Sequence, residues 1–235
     1  MKLTFYGGAR SVKGSNYCLE SGDTKILIDC GLHQGNAYCE AHNFEPFHYK
    51  HESIVAVFVT HAHIDHIGRL PQFVRAGFRG TIYSTPPTKD FGELLLLDSE
   101  HILREEAGKK HKAPLYGIPD VVATMGLWQK RSYHEKIVVG PFTVEFINAG
   151  HILGSSSIVV CAEGKKIVFS GDLGNIPAPF ITGTEYVADT DYALIESVYG
   201  GRIHENLEVR KEVLEDMIED TVKKGSVFMI PAFAL

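Results

Sequence analysis

The chain has 235 residues, 44% of them hydrophobic, which is enough for a substantial core and for one large domain or one domain plus part of another. Its formal net charge of -6 and pI near 6.0 supply no global attraction for phosphate polyanions, and no run of about eighteen apolar residues offers a membrane span. These figures argue against disorder, a membrane protein, and a nonspecific nucleic-acid binder held by bulk charge.

The opening Met1–Gly8 reads as a strand running into a turn and not as a charged, apolar leader, so a cytoplasmic protein is expected. Short β-rich runs follow at Leu3–Tyr6, Tyr17–Glu20, Lys25–Asp29 and Ile54–Thr60, the last an unbroken apolar string of the kind covered on both faces. Apolar residues at 67, 70, 73 and 74 predict a helix over Ile67–Ala76 that stops at Gly77. A strand at Thr81–Ser84 precedes a long helix from Thr88 to about Glu106, and Asp120–Trp128 reads as a further helix with Pro119 at its start.

Strands then return at Glu135–Val139, Thr143–Ile147, Ser156–Ala162, Lys166–Ser170 and Tyr192–Glu196, joined by glycine-containing turns. Two β-rich blocks with helices between and outside them predict an α/β fold, an αββα sandwich. Glu205–Lys224 reads as a charged amphipathic helix, and Val227–Pro231 as a buried strand opening a further unit. The cysteines Cys18, Cys30, Cys39 and Cys161 are scattered without a C-x-x-C pair, so they are expected to be reduced and structural.

The chemistry concentrates in Thr60-His61-Ala62-His63-Ile64-Asp65-His66-Ile67-Gly68, where a buried strand gives way to a helix. Alternate residues of an extended segment point the same way, so His61 and His63 can grip one metal ion together. Asp65 and His66, in the following turn, face a second position beside it, and the start of a helix there adds a partial positive charge. Any one of these histidines would pass for a surface-loop residue, but the H-x-H-x-D-H arrangement as a whole is rare by chance. His151 in Ala149-Gly150-His151 and Asp172 in Ser170-Gly171-Asp172 each follow a strand end with small neighbours, and together with the first string they complete a set for two ions.

The segments Leu27-Ile28-Asp29-Cys30-Gly31, His61–His66, Gly150-His151 and Ser170-Gly171-Asp172 resemble the ordered motifs of metallo-β-lactamase-fold hydrolases, over about residues 1 to 200. That resemblance implies that His61, His63 and His151 hold one zinc ion, that Asp65 and His66 hold a second, and that Asp172 bridges them. Asp29 would orient a ligand by hydrogen bonding. A hydroxide shared by two such ions is suited to in-line attack on a phosphodiester.

Ile195-Glu196-Ser197-Val198-Tyr199-Gly200-Gly201-Arg202 resembles the glutamate motif of the β-CASP nucleases, although valine stands at 198 where that group has threonine. Gly14-Ser15, Gly154-Ser155-Ser156, Leu173-Gly174-Asn175 and Ile230–Leu235 are similar to the same group, with the nearest likeness to RNA-processing enzymes. This implies a metallo-β-lactamase domain over 1–204, incomplete at its C-terminal side, and the start of a β-CASP domain over 205–235. It also implies a ribonuclease in which Asp65 and Glu196 are catalytic, Glu196 by orienting a histidine that protonates the leaving oxygen.

RNA is the expected substrate, single-stranded DNA the lesser one, with no membrane partner and a homodimer left open. The rival readings are a thioesterase or lactonase of the same fold, in which Glu196 has no obvious purpose, a DNA nuclease, and a non-catalytic scaffold subunit, which would usually have lost ligands. Arg104, Lys109, Lys110, His111, Lys112, Lys130 and Arg131 form a local basic excess that is read chiefly as a solvated face. Trp128 and the tyrosines are read as packing residues.

Overall fold

The computed structural model describes residues 1–35, 37–174, 181–202 and 209–231. Asn175, the first residues of the expected helix at 205–224, and 232–235 lie outside them. The chain divides into two compact units, Met1–Glu196 and Ser197–Leu235.

The first unit is an α/β sandwich of two sheets. Strands β1 (Lys2–Gly7), β2 (Asn16–Ser21), β3 (Thr24–Ile28), β4 (Ile54–Phe58), β5 (Thr81–Ser84) and β6 (Trp128–Lys130) form the first sheet in sequence order. Its first pairs are antiparallel, and β3 to β6 run parallel. The second sheet has the order β11-β10-β9-β8-β7, from β7 (Ile137–Val139), β8 (Phe142–Asn148), β9 (Ser156–Ala162), β10 (Lys165–Phe169) and β11 (Tyr192–Leu194). Helices α1 (Ala37–Ala41), α2 (Ile64–Ile67), α3 (Leu70–Ala76), α4 (Pro86–Lys109) and α5 (Ile118–Leu127) all precede β6 in the chain.

Alternation along the strands builds the layers. Ile26 and Ile28 of β3 and Ala56 and Phe58 of β4 face the second sheet, where they meet Phe142, Val144, Phe146, Ile158, Val160 and Phe169. The intervening Leu27 and Val57, with Val59, turn to the helical side and pack on Leu70, Phe73, Leu96, Val121 and Trp128. Ile147, Val159 and Val168 form a smaller cluster with Val187 on the other side of the second sheet. This is the expected α/β sandwich. Among the described residues no helix is long and apolar enough to cross a membrane. The four cysteines form no disulfide, and burial pushes the thiols of Cys18 and Cys30 up to about 11 and 12, so neither ionises readily.

Four elements depart from the sequence reading. The helix expected over Ile67–Ala76 is two helices, because the N–H of Arg69 turns aside to the carbonyl of Cys30 at 2.9 Å and Pro71 has no N–H to continue a ladder. The one-turn α2 therefore contributes less positive end charge than a full helix would. The expected helix at Thr88–Glu106 is longer at both ends, running from Pro86 to Lys109. Trp128 leaves the helix assigned to Asp120–Trp128 and opens β6, where it pairs with Ile82 and its indole N–H donates to Ser84 Oγ at 2.8 Å.

The fourth departure lies in the second unit. Helix α6 (Arg210–Lys223) has the expected charged face, with Lys211–Glu215 and Lys223–Glu219 pairs at helical spacing. Val227–Pro231 is neither paired nor buried: Val227 is 85% exposed and Met229 82%. An apolar run becomes a strand only against a neighbour, and none of the described strands pairs with it.

Candidate metal centre

The C-terminal ends of β3, β4, β8, β10 and β11 lie together and deliver the loops that carry the polar residues of interest. Parallel pairing sets Ile28 beside Phe58, so Asp29 and the 59–63 segment emerge side by side. Antiparallel pairing sets Asn148 opposite Ser156, and the intervening loop carries His151. Asp172 leaves β10 three residues beyond Phe169, which pairs with Leu194 two residues before Glu196. The two sheets are stitched at this edge by Ser156, whose N–H and hydroxyl both donate to the carbonyl of Thr60, at 2.8 and 3.0 Å.

Close approach dictates glycine at two points. A Cβ on Gly31 would lie 1.6 Å from the carbonyl oxygen of Asp65, and one on Gly171 would lie 2.8 Å from Cβ of Thr60, at a φ of +57°. These contacts let the 29–32 and 170–172 loops close onto the H-x-H-x-D-H segment.

The side chains converge. Nδ1 of His63 lies 3.1 Å from Nε2 of His61 and 3.2 Å from Nε2 of His151. Oδ2 of Asp172 is 3.7 Å from Nε2 of both His61 and His151. One ligand atom from each of His61, His63, His151 and Asp172 fits within a span of 4.8 Å. Donors held about 2.0–2.1 Å from a tetrahedral ion stand roughly 3.3 Å apart, so these spacings are those of a ligand set.

Beside it, the other oxygen of Asp172, Oδ1, is 3.3 Å from Nε2 of His66. That nitrogen is buried and makes no well-aligned hydrogen bond, and Oδ2 of Asp65 lies 4.0 Å from it. A buried ring nitrogen close to two carboxylates yet aligned with neither is aimed at a common point between them. Asp172 thus turns one oxygen to each group of donors. The residues present fit a divalent cation.

Hydrogen bonds behind the donors fix their orientation. Asp29, 1% exposed and with a φ of +59°, accepts from Nδ1 of His66 at 2.7 Å, from the N–H of Thr60 at 2.8 Å and from Ser15 Oγ at 3.0 Å. The Thr60 hydroxyl donates to the same carboxylate at 2.9 Å, which leaves its lone pairs for Nδ1–H of His61 at 3.0 Å. Both rings therefore carry a proton on Nδ1 and turn Nε2 toward the centre. His151 is placed by its own N–H, which donates to Ser155 Oγ at 3.0 Å.

The electrostatics set His66 apart from the other three histidines. Burial, reinforced by the neighbouring imidazoles, holds His61 well below the usual histidine value, and burial likewise lowers His63 and His151. Burial acts on His66 in the same sense, but the carboxylates of Asp29 and Asp172 outweigh it and push the ring up to about 10. Burial by itself would raise Asp172; its close contact with His66, with the charge of the surrounding histidines, holds it below the usual carboxylate range.

The structure thus brings together all the residues that the sequence singled out as ligands. Glu196 is nearby: its Oε1 accepts from the N–H of Leu173 at 3.5 Å, and its own N–H donates to Ser170 Oγ at 3.0 Å. Sequence reasoning missed the relay through Thr60, and it missed Lys13, whose ammonium sits 3.1 Å from Oδ2 of Asp65. The one signal for Lys13 is its place directly before Gly14-Ser15. In the basic stretch, Arg104, Lys110, Lys130 and Arg131 each face a carboxylate, of Glu100, Glu106, Asp90 and Glu135, as solvated surface charges do.

Residues 11–192 match the metallo-beta-lactamase superfamily. The whole chain is 36% identical to Ribonuclease TTHA0252 of Thermus thermophilus, of which it covers 52%, and 32% identical to Transcription termination factor FttA of Methanosarcina mazei, of which it covers 37%. Over 97% of its length it is 30% identical to Cleavage and polyadenylation specificity factor 73 of Drosophila melanogaster, covering 33% of that protein. The chain therefore spans between about a third and about half of the length of these curated relatives, and they are of the kind that the motif at 195–202 led one to expect. With a match over most of its length and a donor cluster suited to a divalent cation, the chain belongs to the metallo-beta-lactamase superfamily.

Proposed function

We propose that the protein is a metal-dependent phosphodiester hydrolase, most simply a ribonuclease of RNA processing or decay acting in the cytoplasm. The observation that carries this reading is the meeting of His61, His63, His151 and Asp172 within 4.8 Å, beside the unsatisfied Nε2 of His66. His61 Nε2, His63 Nδ1, His151 Nε2 and Asp172 Oδ2 would hold one ion. His66 Nε2, Asp65 Oδ2 and Asp172 Oδ1 would contribute to a second, with zinc the ion that a histidine-rich donor set favours. Such ions supply Lewis acidity, polarising phosphate oxygens and making water nucleophilic near neutral pH.

The protein's own residues do the rest. Asp29 and Thr60 hold the imidazoles in the ligating tautomer, and Asp172 keeps its charge at the centre of the cluster. Glu196 would orient a histidine that protonates the leaving oxygen, and the greater length of the relatives leaves room for one. Residues 1–204 would then make up the hydrolase domain and 205–235 the opening of a β-CASP domain. RNA as substrate is supported by relatives named as a ribonuclease and as a cleavage factor.

A direct test uses the full-length protein with labelled RNA, labelled single-stranded DNA and a thioester. RNA cleavage should stop on chelation, return with Zn2+, and be absent from Asp65→Ala and His63→Ala variants whose circular dichroism is unchanged. Metal-dependent cleavage retained in both variants would overturn the assignment, and turnover of the thioester alone would move the protein to another branch of the superfamily.

A further inference from the structure

The loop between β1 and β2 is tied to the metal-centre segment by its backbone, since the N–H of Ser15 donates to the carbonyl of Asp65 at 2.9 Å. Two residues earlier in that loop, Lys13 extends its ammonium to Oδ2 of Asp65 at 3.1 Å. The Asp65 side chain is 8% exposed and that of Lys13 44%, so the carboxylate is sunk in the site while the lysine reaches in from solvent. Oδ2 is the same oxygen that lies 4.0 Å from the unsatisfied Nε2 of His66.

We infer that Lys13 is a built-in competitor for the second metal position: its ammonium occupies the Asp65 oxygen that a second ion would use, and so weakens binding there. The inference rests on the ligand assignment proposed above. An ammonium and a divalent cation cannot share one carboxylate oxygen at contact distance without strong mutual repulsion. The second position should fill only as Lys13 swings outward, which its flexible four-carbon stem and half-exposed position permit. Meanwhile the lysine holds the Asp65 carboxylate in place, so the second position stays ordered while it waits.

The test is a titration of metal-free protein with Zn2+ against a chelator of known affinity, following bound metal per chain in wild type, Lys13→Met, Lys13→Gln and Lys13→Arg. Removing the charge should tighten the second binding step by about tenfold or more and leave the first within about twofold, while arginine, which keeps the charge, should resemble wild type. A second ion bound no more readily by both Lys13→Met and Lys13→Gln would overturn the inference. His151→Ala, titrated in parallel, separates the two levels of the argument. Loss of the first ion in that variant alongside unresponsive Lys13 variants would sink only the role of Lys13, whereas retention of the first ion would sink the ligand assignment and this inference with it.

Discussion

Oδ2 of Asp29 stands 2.7 Å from Nδ1 of His66, and both groups are almost wholly buried. The contact holds a proton on Nδ1 and leaves Nε2 facing Asp172. A buried carboxylate behind a ligating imidazole raises its basicity and pins the ring. Asp29→Asn should therefore weaken binding of the second ion about 10–100-fold, and that of the first, which Asp29 reaches only through Thr60, by less. Competition titration with Zn2+ measures this; unchanged second-ion affinity would show that the contact is only structural.

Gly171 adopts a φ of +57° with its α-carbon against Thr60. Gly171→Ala should destabilise the protein by about 1–3 kcal/mol, from backbone strain and from the collision with the Thr60 side chain. Because Asp172 follows directly, the same change should also lower metal occupancy. Urea unfolding and metal analysis of one preparation check both effects, and a variant with wild-type stability would contradict the close approach.

The shifted histidines predict the pH dependence of metal-free protein. His61, His63 and His151 have folded values below the unfolded one, so the unfolded chain takes up their protons first; their stability contribution is present above about pH 6.5 and is lost as pH falls through their folded values. His66 is raised to about 10, so its contribution is full below about pH 6.5 and is lost as pH rises through about 10. Thermal unfolding in the presence of chelator should therefore be most resistant near neutral pH and fall on both sides. In His66→Gln the alkaline limb should flatten; an alkaline limb as steep as in wild type would contradict the Asp29 and Asp172 pairing.

Much of this centre could be read from the sequence because the signals were local. His61, His63, Asp65 and His66 occupy one short segment, and Gly150 and Gly171 marked the loops that deliver His151 and Asp172. What escaped depends on partners distant in sequence. The break at Arg69 needs the carbonyl of Cys30, the strand at Trp128 needs Ile82 and Ser84, and the placement of Lys13 needs the carbonyl of Asp65 to hold Ser15. The apolar run at Val227–Pro231 misled for the converse reason: composition registers a liking for burial but not whether a neighbour is there to provide it.

Glu196 lies at the same edge of the sandwich without belonging to either group of donors. If it orients a proton donor, Glu196→Gln should slow RNA cleavage by about 10²–10⁴-fold and leave bound metal per chain unchanged. Single-turnover cleavage and metal analysis of the same sample distinguish this from a ligand role, which would lower both.

The central claim is that these side chains surround a cation, and anomalous diffraction from zinc-loaded crystals tests it most directly. The account predicts a peak bounded by Nε2 of His61, Nδ1 of His63, Nε2 of His151 and Oδ2 of Asp172. Zinc bound at stoichiometric level elsewhere on the protein, with no peak among these four atoms, would contradict it.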